Sequence, residues 1–326
     1  MAAVGVVLFH ACPNVFFIGW SCVDLFFVLS GYLITTIIVS RPWKDGFLKE
    51  FYLRRIRRIW PVYFLTLAAV MILNSLSPRG FSADAWPYHA LFLQNTSWYF
   101  RIPPSEFIPS FGPSWSVAIE EQFYLFWPLF LLRLGRTSVP WLAFGLLFAC
   151  ALIRWLIPES INILFTRGDG LGWGCLLGWL LWQQANGKAI GLTKHAIRST
   201  AALGGLFVAL YVFVHWGNPH PQWRYFVFSG FGMLFFALIG TCVLHTGNPF
   251  LALFRNPLLR WFGTISYAMY LFHIPIFHFI PTFLSRLHVE SSTIQWLATW
   301  LCIVTVPAFS WYCIERPILS YNFGKT

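Results

Sequence analysis

Residues 22–40 read CVDLFFVLSGYLITTIIVS. The run is apolar except for one carboxylate, Asp24, and a few small hydroxyl residues. A bilayer core takes about 20 such residues per helix. The run is continuous rather than alternating, which argues against a β-barrel strand. Working outward, comparable runs fall near 1–18, 60–77, 114–133, 139–157, 170–186, 199–216, 226–246, 261–283 and 293–313. Together with 20–40 they predict an all-α, polytopic membrane helix bundle of about ten transmembrane helices.

The composition agrees. The 326 residues are 58% hydrophobic and only 10% charged, with mean hydropathy +0.65. Soluble domains carry charge on about a quarter of their residues. Aromatic residues reach 20%, which suits a chain with many membrane–water interfaces to anchor. No polar segment is large enough for a soluble domain, so residues 1–326 read as a single membrane domain. The net charge of +11 fits loops facing anionic headgroups, with membrane lipids as partners. No element for reading nucleic acid accompanies it, so nucleic acid is not an expected partner. If the spans alternate, most of the 22 basic residues fall on one side, which the positive-inside rule makes cytoplasmic, together with both termini. That places the protein in a membrane. The seven cysteines lie in or near apolar runs without a CxxC pair and read as packing residues. A Cys12–Cys22 disulfide is one alternative, and no metal-ligand spacing is present.

Ionisable groups inside a bilayer cost at least about 2.5–3.5 kcal/mol each, so they mark candidate sites. His10 follows AAVGVVLF; Asp24 opens the second run; Glu120 and Glu121 lie in the fourth; Arg167 and Asp169 introduce the sixth. A buried histidine can be a packing residue, and an acid–base pair can simply join two helices. Residues 51–64, FYLRRIRRIWPVYF, concentrate Arg54, Arg55, Arg57 and Arg58. Helical spacing puts Arg54 and Arg58 on one face, and Arg55 and Arg58 likewise. Pro61 is expected to open the third span. The segment reads either as an interfacial basic helix on lipid headgroups or as a receptor for a multiply charged phosphate ligand. Arginine suits the latter because it stays charged and presents a planar fork to phosphate oxygens.

Taken in order, these segments resemble the membrane-bound acyltransferase 3 family. VVLFH (6–10) resembles its first-helix histidine segment and VDLFFVLSGYLIT (23–35) its second-helix signature. Arg55 and Arg58 stand at its R-x-x-R positions. PSWSVAIEEQFYLFWP (113–128), TRGDGLGWGCLLG (166–178), FGTISYAMYLFHIPI (262–276) and the closing IERP (314–317) resemble further family segments. The resemblance implies a helical membrane fold, an acyl-CoA donor, commonly acetyl-CoA, and a hydroxyl acceptor, often a cell-surface or lipid-linked glycan. Other members act on non-glycan acceptors. The family also pairs its first-helix histidine with an arginine eleven positions earlier, which here would fall before Met1. The expectation is a first helix truncated at an internal methionine.

Acyl transfer from a thioester needs a base, a stabilised carbonyl oxygen and close approach of donor and acceptor. His10 is expected to be the general base, oriented by Glu120 or Asp24. Arg55 and Arg58, supported by Arg54 and Arg57, are expected to hold the donor's phosphates. Trp115, Glu121, Arg167, Asp169 and His273 stand in matching segments and are candidates for the substrate-binding side. His273 could equally be structural. Ser30 and Ser116 lack a nucleophile elbow. The outer loop at 78–112 could help admit the acceptor. The competing class is a transporter or exporter whose path is lined by these charges; no internal repeat supports it.

Overall fold

The structure, a computed structural model, describes residues 2–75, 86–96, 108–157, 162–188, 190–217, 226–245, 247, 251–252 and 256–321. Much of the loop at 78–112 lies outside them. The helices are α1 (Ala2–Ala11), α2 (Cys22–Ser40), α3 (Phe47–Ser75), α4 (Trp86–Ala90), α5 (Ser114–Leu134), α6 (Val139–Leu156) and α7 (Leu164–Arg167). They continue with α8 (Asp169–Ala185), α9 (Ile190–Gly217), α10 (Val227–Leu244), α11 (Pro257–Thr264), α12 (Ser266–Arg286), α13 (Ser292–Ser310) and α14 (Arg316–Ser320). A π-helical turn, Trp311–Glu315, joins the last two. No strand occurs among the described residues.

Among the described residues seven segments are long and apolar enough to cross a membrane: Gly19–Ser40, Phe47–Ser75, Arg136–Leu156, Gly191–Phe213, Val227–Leu244, Ser266–Arg286 and Ser292–Ser320. The chain is an integral membrane protein. The three expected spans outside this set are α1, α5 and α8. α1 has 10 residues and α8 has 17. α5 has 21 but carries Glu120, Glu121, Gln122 and Arg133, which lower its mean hydropathy.

The chain forms two compact units. The first comprises residues 1–19, 46–118 and 255–326. Its hub is α12, which packs on α13, α1 and α3. α11 leads into it with Pro257 in its first turn and the Asn256 side chain accepting from Leu258 N at 2.8 Å. One expectation is corrected here. Pro61 does not start a helix; α3 runs unbroken through it for 29 residues. The arginine segment and the span are one helix of about 43 Å, longer than the ~30 Å hydrocarbon core. Losing one N–H is tolerable in a membrane helix where neighbours satisfy the local backbone.

The second unit comprises residues 20–45 and 119–254. In it α8 packs on α2, α6 and α10, and α9 packs on α10. Glycine governs the α2–α8 contact: Gly170, Gly174 and Gly178 recur every fourth residue, as in small-xxx-small helix pairs. A Cβ on Gly174 would strike the Val28 carbonyl and come within 2.7 Å of Tyr32 N, both backbone atoms. Gly174→Ala is therefore expected to destabilise by about 1–3 kcal/mol, as overpacking does. Gly205→Ala, where nothing lies within 4 Å, is the matched control and should be neutral or stabilising. Thermal unfolding of the detergent-solubilised variants separates the two. All seven cysteines are free, so Cys12 and Cys22 form no disulfide.

Candidate active site

The first unit brings two histidines together. His10 sits on the last turn of α1 and is exposed. His273 lies on α12 and is 0% exposed. His273 Nε2 is 3.2 Å from His10 Nδ1, with the ring centroids 4.9 Å apart. Each ring also has a backbone carbonyl partner: Val6 O lies 3.0 Å from His10 Nδ1, and Tyr270 O lies 2.6 Å from His273 Nδ1. Apolar α1 residues Ala3, Val6 and Val7 are buried, which fixes the helix that presents His10.

One turn before His273, Tyr270 Oη meets Ser116 Oγ at 2.6 Å and donates to Pro113 O at 3.0 Å. Ser116 is thus tied to Tyr270. Its neighbour Trp115 is half-buried. Nearby in the same unit, Gln94 Nε2 donates to Tyr63 Oη at 3.0 Å and to Ser114 O at 2.9 Å.

The arginine segment belongs to this unit too. Arg58 Nη1 donates to Glu315 Oε2 at 3.1 Å, and Glu315 is 2% exposed. The guanidinium lies 5.9 Å from the Tyr267 ring centre and 5.7 Å from that of Trp311. Trp311 and Glu315 both come from the π-helical turn, a geometry often found at functional sites. Arg54 pairs with Glu50 one turn back, on the exposed face. Arg57 is half-buried. Arg55 is half-buried as well, and its buried Nε has no hydrogen-bond partner. Tyr267 and His273 are six residues apart on α12, about 9 Å along the axis. A single helix therefore spaces the arginine level from the histidine level.

The remaining candidates lie in the second unit. Asp24, 0% exposed, takes both its hydrogen bonds from Arg167: one from Nη1 to Oδ1 and one from Nη2 to Oδ2 at 3.2 Å. Arg154 and Asp169 form a second buried pair, with Arg154 Nη2 to Asp169 Oδ2 at 2.7 Å. Ser229 Oγ also donates to Asp169, and Arg154 to the Thr166 carbonyl. Phe228 lies against both cations, 3.6 Å from Arg167 and 5.6 Å from Arg154. The quartet balances two cations with two anions. Glu120 Oε1 accepts from Ser30 Oγ at 2.7 Å, and Tyr124 Oη donates to the same Ser30 at 2.9 Å. Glu121 is half-buried beside it. Among the described residues no three His, Cys, Asp or Glu side chains gather as a metal site.

The structure thus joins His10 to His273, Arg58 to Glu315 and Asp24 to Arg167. Sequence patterns did not single out Arg154, Glu315, Tyr267 or Tyr270. The one local signal for Arg154 is a lone cation in the run 139–157.

Comparison with known proteins gives the class. The family model Acyl_transf_3, described as an acyltransferase domain, matches residues 1–315. The chain belongs to this acyltransferase family. It is 29% identical to "Putative peptidoglycan O-acetyltransferase YrhL" of Bacillus subtilis, over 99% of this chain and 54% of that one. It is also 29% identical to "Peptidoglycan O-acetyltransferase OatA" of Listeria monocytogenes, over 99% of this chain and 55% of that one. The chain spans about half the length of the curated relatives it matches. No solved structure matches it. The family match supports acyl transfer over export.

Proposed function

We propose that the protein moves an acetyl group from acetyl-CoA, as the acyl-CoA donor, to a hydroxyl of a cell-envelope glycan, with peptidoglycan as the first acceptor to test. The observation that carries this reading is the layout of the first unit. A histidine pair in an apolar helix contact and a cationic segment at the end of a long span share the hub helix α12. The names of the relatives support acetyl transfer to peptidoglycan. In this reading α1, α5 and α8 also cross the membrane, giving about ten spans. Both termini then face the cytoplasm, with the arginines at the inner leaflet of the bacterial inner membrane.

The chemistry balances without a further reagent. His10 takes the proton of the acceptor hydroxyl as its oxygen attacks the thioester carbonyl. The carbonyl carbon–sulfur bond breaks, and the coenzyme thiolate leaves and takes the proton from the imidazolium. Arg55 and Arg58 hold the donor phosphates by charge-assisted hydrogen bonds. Glu120 and the Asp24–Arg167 and Arg154–Asp169 pairs hold the second unit's helices.

The test supplies membranes containing the chain with acetyl-labelled acetyl-CoA and soluble glycan strands. Label recovered as an alkali-labile ester on the strands is expected. Label on lipid or on another hydroxyl compound alone would overturn the glycan acceptor, and no transfer at all would overturn the donor. Arg55→Ala breaks no ion pair among the described residues. It is expected to raise the donor KM roughly 10- to 100-fold, the equivalent of about one charged hydrogen bond. An unchanged donor KM would return this segment to lipid headgroups.

A further inference from the structure

We infer that His273 is a positioning residue that fixes the tautomer of His10 and leaves His10 Nε2 as the proton-accepting atom. The inference rests on the general-base reading of His10 and deepens it. The argument runs through hydrogen-bond donors and acceptors alone. A backbone carbonyl oxygen can only accept. Tyr270 O, 2.6 Å from His273 Nδ1, therefore requires a proton on that nitrogen. Val6 O, 3.0 Å from His10 Nδ1, requires a proton there too. The two rings then meet through His10 Nδ1 and His273 Nε2 at 3.2 Å. With a proton on His10 Nδ1, the facing His273 Nε2 must offer its lone pair. A proton on that nitrogen as well would set two N–H groups against each other.

The chain of bonds has one consistent direction. His10 Nδ1–H donates to His273 Nε2 and shares Val6 O, and His273 Nδ1–H donates to Tyr270 O. Both rings are neutral at rest. The only ring nitrogen left with a lone pair and no protein partner among the described residues is His10 Nε2, on a residue that is exposed while His273 is 0% exposed. A lone pair presented at an open position is what a hydroxyl approaching a base requires. When His10 Nε2 takes the proton, the Nδ1–H bond to His273 becomes charge-assisted and strengthens. His273 thus does for His10 what a carboxylate does in the Ser-His-Asp arrangement, without adding a charge inside the membrane. His273 is the α12 side chain in contact with His10. Tyr270 is engaged by Ser116 and Pro113, so it leaves His273 as the ring that meets His10.

Two measurements test the assignment. Histidine-15N-labelled protein in lipid, with the His10 signals assigned by their loss in His10→Ala, should show His10 neutral and protonated on Nδ1. A proton on Nε2 instead would overturn the inference. In the second, His273→Leu removes the acceptor and should lower kcat by roughly 10- to 100-fold, the scale seen when a metal-bound histidine loses its orienting partner. The donor KM should be unmoved. His273→Gln keeps an oxygen acceptor for His10 Nδ1–H and should recover most of the rate. A well-folded His273→Leu with wild-type kcat, or a Gln variant no better than Leu, sinks the proposal while leaving His10 as base. If His10→Ala retains full activity, it is the general-base reading itself that fails. Should the Leu variant not fold, the 15N assignment on the wild type and the Gln variant still decide.

Discussion

His10→Ala is expected to lower kcat for acyl transfer by roughly 10²- to 10⁴-fold, the range general-base catalysis contributes. The donor KM should stay close to wild type. The split follows from the structure. His10 lies at the α1–α12 contact, with its ring against His273. The arginine level is set by Arg58 against Tyr267, about 9 Å away along α12. On the proposed reading, removing the imidazole leaves in place the arginines that would hold the donor phosphates. The small residue also adds no charge, and His10 is exposed, so loss of fold does not compete with loss of chemistry. Labelled acetyl-CoA binding measured beside turnover checks both halves. Loss of binding together with turnover would mean that His10 belongs to the donor site, and full turnover would remove it from the mechanism. Arg55→Ala is the mirror experiment, with the donor KM rising and kcat changing less. Arg58 is a poorer probe, because its removal strands the buried Glu315 carboxylate and mixes binding with stability.

The parts of this arrangement that a sequence can carry are those whose meaning is local. An imidazole after eight apolar or small residues stands out by itself, and so do four arginines within five positions, three residues ahead of a proline. The helical class was legible for the same reason, since bilayer-length apolar runs need no partner to be recognised. What stayed hidden depends on pairing across the chain. His10 and His273 are 263 residues apart, and Arg58 and Glu315 are 257 apart. Glu315 reads in sequence only as part of a closing IERP, because nothing near it says which cation it neutralises. Pro61 misled for a related reason. It is a fair sign of a helix start, but in α3 the segments on both sides of it are apolar or amphipathic enough to remain helical. The sequence count of about ten spans took in α5 and α8 as apolar runs, but α8 has 17 residues and α5 carries polar side chains that make contacts inside the second unit. Trp127 Nε1 donates to Thr35 Oγ1 at 2.9 Å, and Glu120 accepts from Ser30.

Arg154 shows what such pairing is worth. Arg154→Met is expected to destabilise the protein by about 3–5 kcal/mol, the usual consequence of removing one partner of a buried ion pair. Arg154 is 1% exposed and Asp169 is 0% exposed, so the carboxylate left behind has no water to turn to. Ser229 would still donate to it, but a hydroxyl does not balance a charge. Asp169→Leu should cost a similar amount by stranding the cation. The double variant Arg154→Met/Asp169→Leu removes both charges and should be far less destabilised than either single one, because the desolvation penalty vanishes with the pair. Thermal unfolding in detergent gives the cycle. Activity of the double variant then separates two roles for this quartet. As a brace between α6 and α8, it should return acyl transfer in step with stability. If Asp169 instead touches the acceptor, the double variant would be stable yet inactive, with an acceptor KM that no added glycan saturates. The geometry favours the brace. Both Asp169 oxygens already accept from Arg154, one of them also from Ser229, and the Asp24 oxygens are likewise taken by Arg167. Both carboxylates are also 0% exposed, so a substrate hydroxyl would have to open the buried contact around these pairs to reach a remaining lone pair.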